Sequence, residues 1–280
     1  MINGVEELKA LRLLWREQSL DVALVPTMGN LHAGHLRLVE QAVQNAERIV
    51  VSVFVNPTQF LPGEDYQAYP RTLDADAALL RETGAHVLFT PTLATMYPGT
   101  VSTGTRVSIP VLDDILCGAS RPGHFTGVAT VVSKLFNLVE PDLAVFGDKD
   151  YQQLLLIRAM VRDLCFPIRI LAVETVREDD GLAVSSRNAY LSAEQRVTAA
   201  SLYRGLKTLA KEVKTGNHPL AVCEQHATQV LEAAGFEPDY VSIRRAADLG
   251  VPRKEDRQLV VMAAASLGDT RLIDHLDIEL

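Results

Sequence analysis

The feature that most constrains the fold is the alternation of short apolar runs with amphipathic segments over the first 175 residues. The run at 49–55 (IVVSVFV) is rich in β-branched residues and continuously apolar, which is typical of a strand covered on both faces. Segments with helical spacing follow most of these runs. The alternation predicts an α/β fold, a Rossmann-like doubly wound parallel sheet with right-handed crossovers. Ligands of such sheets bind at the carboxyl ends of the strands.

The predicted elements of this region are five strands and four helices. The strands are Val22–Val25, Ile49–Val55, His86–Thr90, Leu143–Phe146 and Ile168–Val173. The helices are one from about Gly34, then Leu73–Arg81, Gly127–Val139 and Tyr151–Leu164.

Beyond Asp180 the pattern changes. Two amphipathic segments, Ala193–Lys214 and Pro219–Ala234, predict helices, and two apolar segments, Tyr240–Ile243 and Leu259–Ala265, predict strands. We therefore predict two domains. A Rossmann-like, ligand-binding domain covers 1–175, and a smaller C-terminal α+β lid domain covers 176–280.

Composition limits the classes of function. The chain has 280 residues, of which 48% are apolar and 22% charged, as in ordinary soluble proteins. No apolar stretch reaches the roughly 18 residues of a membrane span, and the N-terminus lacks a signal pattern. Cys117, Cys165 and Cys223 are few and unclustered, which favours a reducing compartment and argues against a zinc ribbon. The net charge of −8 argues against a nucleic-acid groove.

Residues 28–35 (MGNLHAGH) carry the most informative motif. They follow an apolar strand pattern and precede a helical one, so that the loop delivers His32 and His35 to a helix N-terminus, where backbone N–H groups attract an anion. A His-x-Gly-His loop after a first strand resembles the signature of the nucleotidyl-transfer superfamily, which moves AMP from ATP. Two alternatives stay open: a polar turn with solvated histidines, and a zinc pair, which lacks an obvious third ligand.

Two further loops follow predicted strands. Gln59, in the turn at 56–60, offers both a donor and an acceptor. Lys149 stands near a helix N-terminus, where a cation is unfavourable, and this suggests an anionic ligand. Asp148 and Asp150 beside it can cap the helix or reach Mg²⁺ through water. The alternatives are a turn with a solvated glutamine and a capped, solvated helix start.

Two other loops contain hydroxyl and glycine residues. In 180–188 (DGLAVSSRN), Ser185, Ser186 and Arg187 can hold phosphate oxygens, although Ser192 to Gln195 nearby already has the pattern of a helix cap.

The stretch at 99–106 has P-loop glycine spacing, but it lacks the P-loop lysine. We predict that this stretch is a loop without a phosphate-binding role.

Five motifs occur in this order along the chain: 26–35, 56–60, 121–127, 147–153 and 180–188. Together they closely resemble the pantoate–β-alanine ligase family, and the similarity extends to 267–274. Thr58 stands where such sequences commonly have Met, and Cys117 where an acidic residue is often seen.

The resemblance implies an ATP-dependent, AMP-forming ligase. Such an enzyme joins pantoate to AMP and releases pyrophosphate; the β-alanine amine then attacks the pantoyl adenylate and gives pantothenate. The resemblance further implies ATP as a substrate, Mg²⁺, and a cytoplasmic homodimer with neither nucleic acid nor membrane as a partner.

The resemblance also implies roles for individual residues. ATP would be bound by Met28, Gly29, Asn30, Leu31, His32, Ala33, Gly34, His35, Gly147, Asp148, Lys149, Asp150, Val176, Val184, Ser185, Ser186 and Arg187. Among these the catalytic residues would be His35, as proton donor, with His32, Lys149 and Arg187. Substrate would be bound by Gln59 (pantoate and β-alanine), Gln153 (pantoate), Arg121 and His124. Mg²⁺ would come with ATP, and its protein ligands are not specified.

Three rival functions remain at this point. One is another adenylyl-transfer enzyme of the superfamily with a phosphate acceptor, against which the neutral Gln59 and Gln153 argue. A second is a non-catalytic nucleotide-binding module. The third is a metallohydrolase built on His32 and His35.

Overall fold

The structure, a computed structural model, describes residues 1–101 and 104–280. The loop predicted at 99–106 includes two residues outside this description, and its remaining residues form neither helix nor strand. No helix within the described ranges is long and apolar enough to cross a membrane.

Internal contacts divide the chain into two compact units. The first unit consists of Met1–Asp148 and Leu156–Glu174, and the second of Lys149–Leu155 and Thr175–Leu280. This division assigns a short segment after residue 148 to the second unit. That residues 176–280 act as a lid stays a prediction.

Up to residue 174 the strands are separated by helices, and several helices follow one another between the third and the fourth strand. The strands are β1 (Val22–Thr27), β2 (Arg48–Val53), β3 (Val87–Phe89), β4 (Leu143–Gly147) and β5 (Arg169–Val173). The helices are α1 (Val5–Glu17), α2 (Ala33–Asn45), α3 (Leu73–Arg81), α4 (Leu93–Met96), α5 (Pro110–Asp113), α6 (Cys117–Ser120), α7 (His124–Val139) and α8 (Tyr151–Asp163).

The first unit is built on a parallel sheet with strand order β3-β2-β1-β4-β5. The central strand β1 is paired on both sides, since Ala23 lies opposite Ile49 of β2 and Leu143 of β4. The chain winds outward from β1 in both directions, so the strand order changes direction between β1 and β4. The predicted Rossmann-like parallel sheet is therefore confirmed.

Alternate strand residues form the core on one face of this sheet. The core there consists of Ala23, Val25, Leu31, Val39, Ala42, Ile49, Val51, Leu80, Leu88, Leu143, Val145 and Val173. Helix α7 is buried around most of its circumference, and it begins one turn before the predicted start. Gly123, in the left-handed conformation (φ 86°), precedes this extra turn.

The second unit contains an antiparallel sheet of β6 (Glu237–Arg245), β7 (Gln258–Leu267) and β8 (Thr270–Glu279). Its helices after residue 174 are α9 (Ala193–Ala199), α10 (Ser201–Thr215) and α11 (Leu220–Ala233). Leucines of α10 and α11 share one apolar core with alternate residues of β7. The predicted smaller α+β domain is thus confirmed.

The short helices α4, α5 and α6 were not predicted, and three longer elements also differ from the prediction. The segment predicted as one helix at 193–214 is two helices, although Ala200 between them keeps near-helical dihedral angles (φ −62°, ψ −16°). Helix α1 was not predicted; Gly4, at its start, provides no side-chain cap. Strand β8 was also missed, because charged residues interrupt its apolar positions.

Candidate active site at the carboxyl ends of the strands

The histidine loop follows β1 at the carboxyl edge of the parallel sheet. Gly29 (φ 83°) and Asn30 (φ 52°) both adopt left-handed backbone conformations, which glycine and asparagine tolerate better than other residues. These two residues turn the chain out of β1, and α2 then begins at Ala33. The predicted sequence of strand, tight loop and helix is confirmed.

Asp76, a residue of α3, stabilises the histidine loop through hydrogen bonds to its backbone. Its two carboxylate oxygens accept hydrogen bonds from the backbone N–H groups of Asn30 (3.0 Å) and Leu31 (2.8 Å), and Thr72 donates a third bond from its hydroxyl (3.2 Å). Asp76 is 1% exposed, so these bonds replace water around a buried charge. Sequence reasoning missed Asp76, since an acidic residue in a first helical turn is ordinary.

The two histidines of the loop contact each other. The backbone N–H of His32 donates to Nδ1 of His35 (3.3 Å), and the ring centroids lie 4.0 Å apart. Because Nδ1 of His35 accepts this bond, the neutral imidazole of His35 carries its proton on Nε2. A Cβ atom on Gly34 would lie 3.0 Å from the ring of His32, so glycine keeps the loop compact.

The zinc alternative depends on a third ligand. In the ranges 1–101 and 104–280, no group of three or more His, Cys, Asp or Glu side chains is placed to hold a metal ion. The pair formed by His32 and His35 therefore has no protein-derived third ligand in the described chain.

Asn56 organises the turn that follows β2. It is 1% exposed, and its Oδ1 accepts hydrogen bonds from the backbone N–H of Thr58 (3.3 Å) and the hydroxyl of Tyr97 (2.8 Å). Its Nδ2 donates to Oε1 of Gln59 (3.1 Å) and to the carbonyl of Gly127 (3.2 Å). From the sequence we predicted only a turn at 56–60 and gave Asn56 no separate role.

The side chain of Gln59 joins this turn to the histidine loop. Its Nε2 donates to the sulfur of Met28 (3.0 Å), while its Oε1 accepts from Asn56 (3.1 Å). The predicted substrate-binding glutamine and the first residue of the predicted ATP loop are therefore in contact.

Arg121 and His124 surround the backbone carbonyl of Gln59. The Nη2 of Arg121 lies 3.3 Å from this oxygen, and Nδ1 of His124 lies 2.7 Å from it. Arg121 also forms a two-pronged ion pair with Glu64, in which both N–O distances are 2.6 Å. Glu64 was not identified from the sequence.

Helix α7 approaches the same turn without an intervening side chain. A Cβ atom built on Gly127 would overlap the carbonyl oxygen of Thr58. The helix can pack against the turn only because residue 127 is glycine, and this contact fixes the turn from a second direction.

In the second unit, Lys149 and Asp150 lie in the short 3₁₀ turn Asp148–Asp150 that follows β4. Gln153 lies in the first turn of α8. Lys149 and Gln153 are both half-buried. The predicted carboxyl-end location of this loop is confirmed by its position after β4.

The segment 176–187 forms a small hairpin that leads into a 3₁₀ turn. Val184 donates its N–H to the carbonyl of Val176 (2.9 Å), which brings together two predicted ATP-binding residues. The Oγ of Ser185 accepts from the N–H of Arg187 (3.2 Å) and caps the turn Ser186–Tyr190. The predicted helix cap is also present, since the Ser192 hydroxyl accepts from the Gln195 N–H (3.2 Å).

Arg177 anchors this hairpin within the second unit. Its guanidinium donates two hydrogen bonds to the carboxylate of Asp274 (2.7 and 2.8 Å) and lies 3.7 Å from the ring centroid of Tyr203. Asp274 is the last residue of the 267–274 motif. Neither Arg177 nor its role could be inferred from a single sequence, because its partners lie far along the chain.

Comparison with known proteins shows which family the chain belongs to. The family model described as pantoate-beta-alanine ligase matches residues 1–277. A protein of Pseudomonas entomophila (strain L48) named pantothenate synthetase is 54% identical over 279 residues, covering 100% of this chain and 97% of that protein. A pantothenate synthetase of Shewanella loihica is 54% identical over 265 residues, covering 95% and 94%.

Solved structures give the same result. Pantothenate synthetase from Thermus thermophilus matches with a TM-score of 0.91 and 45% identity, covering 100% of this chain and 99% of that one. A pantoate-beta-alanine ligase from Francisella tularensis, complexed with beta-gamma ATP and beta-alanine, matches with a TM-score of 0.81 and 32% identity, covering 99% and 97%. The chain therefore belongs to the pantoate–β-alanine ligase family.

Proposed function

We propose that the chain makes pantothenate in two steps, through a pantoyl-adenylate intermediate. As a member of its family it is an ATP-dependent ligase that condenses pantoate with β-alanine. In the proposed first step the pantoate carboxylate attacks the α-phosphorus of ATP and pyrophosphate leaves. In the second step the amine of β-alanine displaces AMP from the acyl adenylate. The observation that carries this proposal is the contact between Gln59 and Met28 of the histidine loop (3.0 Å).

The histidine loop is the proposed ATP site of the first unit, formed by residues 28–35. Its location at the N-terminus of α2 suits a polyphosphate, because backbone N–H groups point out of the helix there. The Nε2–H of His35 can donate to a phosphate oxygen as charge develops in the transition state. His32 is proposed to act beside it.

Neutral side chains are proposed to hold the acceptor. Gln59 would bind pantoate and later β-alanine, and Gln153 would bind pantoate. An amide can orient a carboxylate and a hydroxyl group without pairing the nucleophile with a full positive charge. The pantoate carboxylate is already a nucleophile, so the enzyme needs to place it and to stabilise the charge at phosphorus.

Residues of the later loops are proposed to complete ATP binding. These are Gly147, Asp148, Lys149, Asp150, Val176, Val184, Ser185, Ser186 and Arg187. The ammonium of Lys149 and the guanidinium of Arg187 would stabilise the pyrophosphate as it leaves. We propose that Arg121 and His124 serve the substrate site through their contacts with the carbonyl of Gln59.

Magnesium is proposed to arrive with ATP. Mg²⁺ usually keeps several waters and takes only one or two protein carboxylates besides phosphate oxygens. Asp148 and Asp150 supply such carboxylates in one short turn, so the residue types fit. When bound, Mg²⁺ would neutralise phosphate charge. A cytoplasmic location and a homodimeric state are likewise proposed from the family resemblance.

Pyrophosphate exchange tests the two-step scheme. Labelled pyrophosphate should enter ATP when pantoate and Mg²⁺ are present, and β-alanine should not be required, because adenylation precedes amide formation. Exchange that depends on β-alanine would contradict the scheme, and so would equal exchange without pantoate.

A further inference from the structure

We infer that Glu64 is a positioning residue, which acts through Arg121 and His124 to fix the backbone of Gln59. The inference rests on the proposed role of Gln59 in holding pantoate. The side chains of Glu64, Arg121 and His124 are connected by hydrogen bonds in series.

The series of hydrogen bonds begins with the ion pair between Glu64 and Arg121. Arg121 donates from Nε and Nη2 to the two oxygens of Glu64, both at 2.6 Å. The two side chains are 15% and 25% exposed, so water screens this pair less than a surface pair. A two-pronged pair fixes the plane of the guanidinium as well as its position.

The fixed guanidinium determines the state of His124. Nη1 of Arg121 lies 3.0 Å from Nε2 of His124, and a guanidinium has only donors. Nε2 must therefore accept, which leaves the ring proton on Nδ1. The Nδ1–H group then donates to the carbonyl oxygen of Gln59 (2.7 Å), which Nη2 of Arg121 also approaches (3.3 Å).

Gln59 is consequently held at its backbone as well as at its side chain. Its carbonyl accepts from the side chains of Arg121 and His124, and its side-chain Oε1 accepts from Asn56 (3.1 Å). If the ion pair with Glu64 is lost, the guanidinium can rotate, and the carbonyl loses the donors that fix it. A displacement of about 1 Å in a substrate-binding group can lower a rate by as much as roughly 10²-fold.

The ionised form of Glu64 is the one that the structure stabilises. Burial alone would raise the pKa of Glu64, but hydrogen bonds from Arg121 and from the backbone N–H of Leu61, together with the charge of Arg121, lower it below the usual value of a glutamate. The carboxylate therefore stays charged at neutral pH and keeps Arg121 in place.

The test is a double-mutant cycle with Glu64→Gln and Gln59→Ala. Glutamine keeps the shape of residue 64 but removes the charge and one acceptor. We expect Glu64→Gln to raise the KM for pantoate by roughly 10- to 100-fold, with the KM for ATP changed by less than about threefold. In the Gln59→Ala background, Glu64→Gln should raise the KM for pantoate by a much smaller factor, because the two substitutions disrupt the same function.

A matched control is available in the second unit. Asp239 pairs with Arg271 at 2.7 Å, with side-chain exposures of 30% and 24%. Asp239→Asn breaks a comparable ion pair and should leave the pantoate KM unchanged. Arg121→Lys keeps the charge but cannot form the fork, so it should reproduce the defect of Glu64→Gln.

The ¹⁵N chemical shifts of the His124 ring give a readout independent of turnover. In the native enzyme Nδ1 should be protonated and Nε2 should be the acceptor. The Nε2–H tautomer would overturn the inference, as would an unchanged pantoate KM in Glu64→Gln or an undiminished effect in the Gln59→Ala background. If Gln59→Ala itself leaves the pantoate KM unchanged, the pantoate assignment of Gln59 is wrong and the inference fails with it.

Discussion

Replacement of Asp76 by asparagine should loosen the histidine loop and weaken ATP use. Both oxygens of Asp76 accept backbone N–H groups of the loop, from Asn30 (3.0 Å) and Leu31 (2.8 Å). An asparagine amide has one oxygen, so it can accept only one of these bonds. Its NH₂ group would then face the other N–H group, and two donors cannot pair.

The expected magnitude follows from these contacts. A hydrogen bond to a charged group contributes about 1.5–3 kcal/mol, and a buried donor left unpaired costs about 1–3 kcal/mol. These two contributions overlap, because both arise from the same lost hydrogen bond, and they should not be added in full. We therefore expect the free energy of unfolding to fall by about 2–4 kcal/mol. For a domain of this size that corresponds to a fall in Tm of roughly 5–15 °C.

Thermal unfolding and steady-state kinetics measure the two effects. The KM for ATP should rise more than the KM for pantoate, because residues 28–35 are the proposed ATP loop. Asp74→Asn is the matched control, since Asp74 lies in the same first turn of α3 but is exposed. If Asp76→Asn unfolds at the native Tm, or if the control behaves in the same way, our account of the loop is wrong.

Three further predictions concern other parts of the site. Lys149→Ala and His35→Ala should each slow pyrophosphate exchange by roughly 10²–10³, the usual effect of removing one preorganised charge stabiliser; near-normal exchange at saturating ATP would refute the assignment. Gly127→Ala should lower Tm by several degrees and raise the pantoate KM, because its Cβ would overlap the carbonyl of Thr58, whereas a folded, fully active variant would contradict the close packing. Glu64 binds fewer protons when folded than when unfolded, since its pKa is lowered despite burial; its stabilising contribution is therefore complete above about pH 4.5 and is lost as the pH falls further. Glu64→Gln should flatten the acid limb of a stability–pH curve, and an unchanged limb would show that the ion pair contributes nothing.

The sequence predicted those parts of the site whose signals are local. The histidine loop combines an apolar strand, a glycine in the turn and helical spacing after it, and each of these is visible within about ten residues. Gln59 was found for the same reason, because it lies in the turn that follows a strand of a parallel sheet. The ordered motifs then indicated the family.

The supporting residues could not be predicted, because the fold brings them from distant positions. Asp76 and Glu64 are ordinary acidic residues in sequence, and only the packing of α3 and of the segment around residue 64 places them beside the two loops. Arg177 likewise depends on Asp274, about one hundred residues later in the chain. The helix α1 was missed because it lacks a capping side chain.

The central position of β1 has a consequence for synthesis on the ribosome. Ala23 of β1 pairs with Leu143 of β4, so one edge of this apolar strand stays unpaired until the chain has been translated through β4. At about 5–20 residues per second, that interval is on the order of ten seconds. Throughout this time an open, β-branched strand edge is exposed to other nascent chains. The late pairing with β4 therefore leaves the nascent first unit open to edge-to-edge association for longer than a protein built from local hairpins.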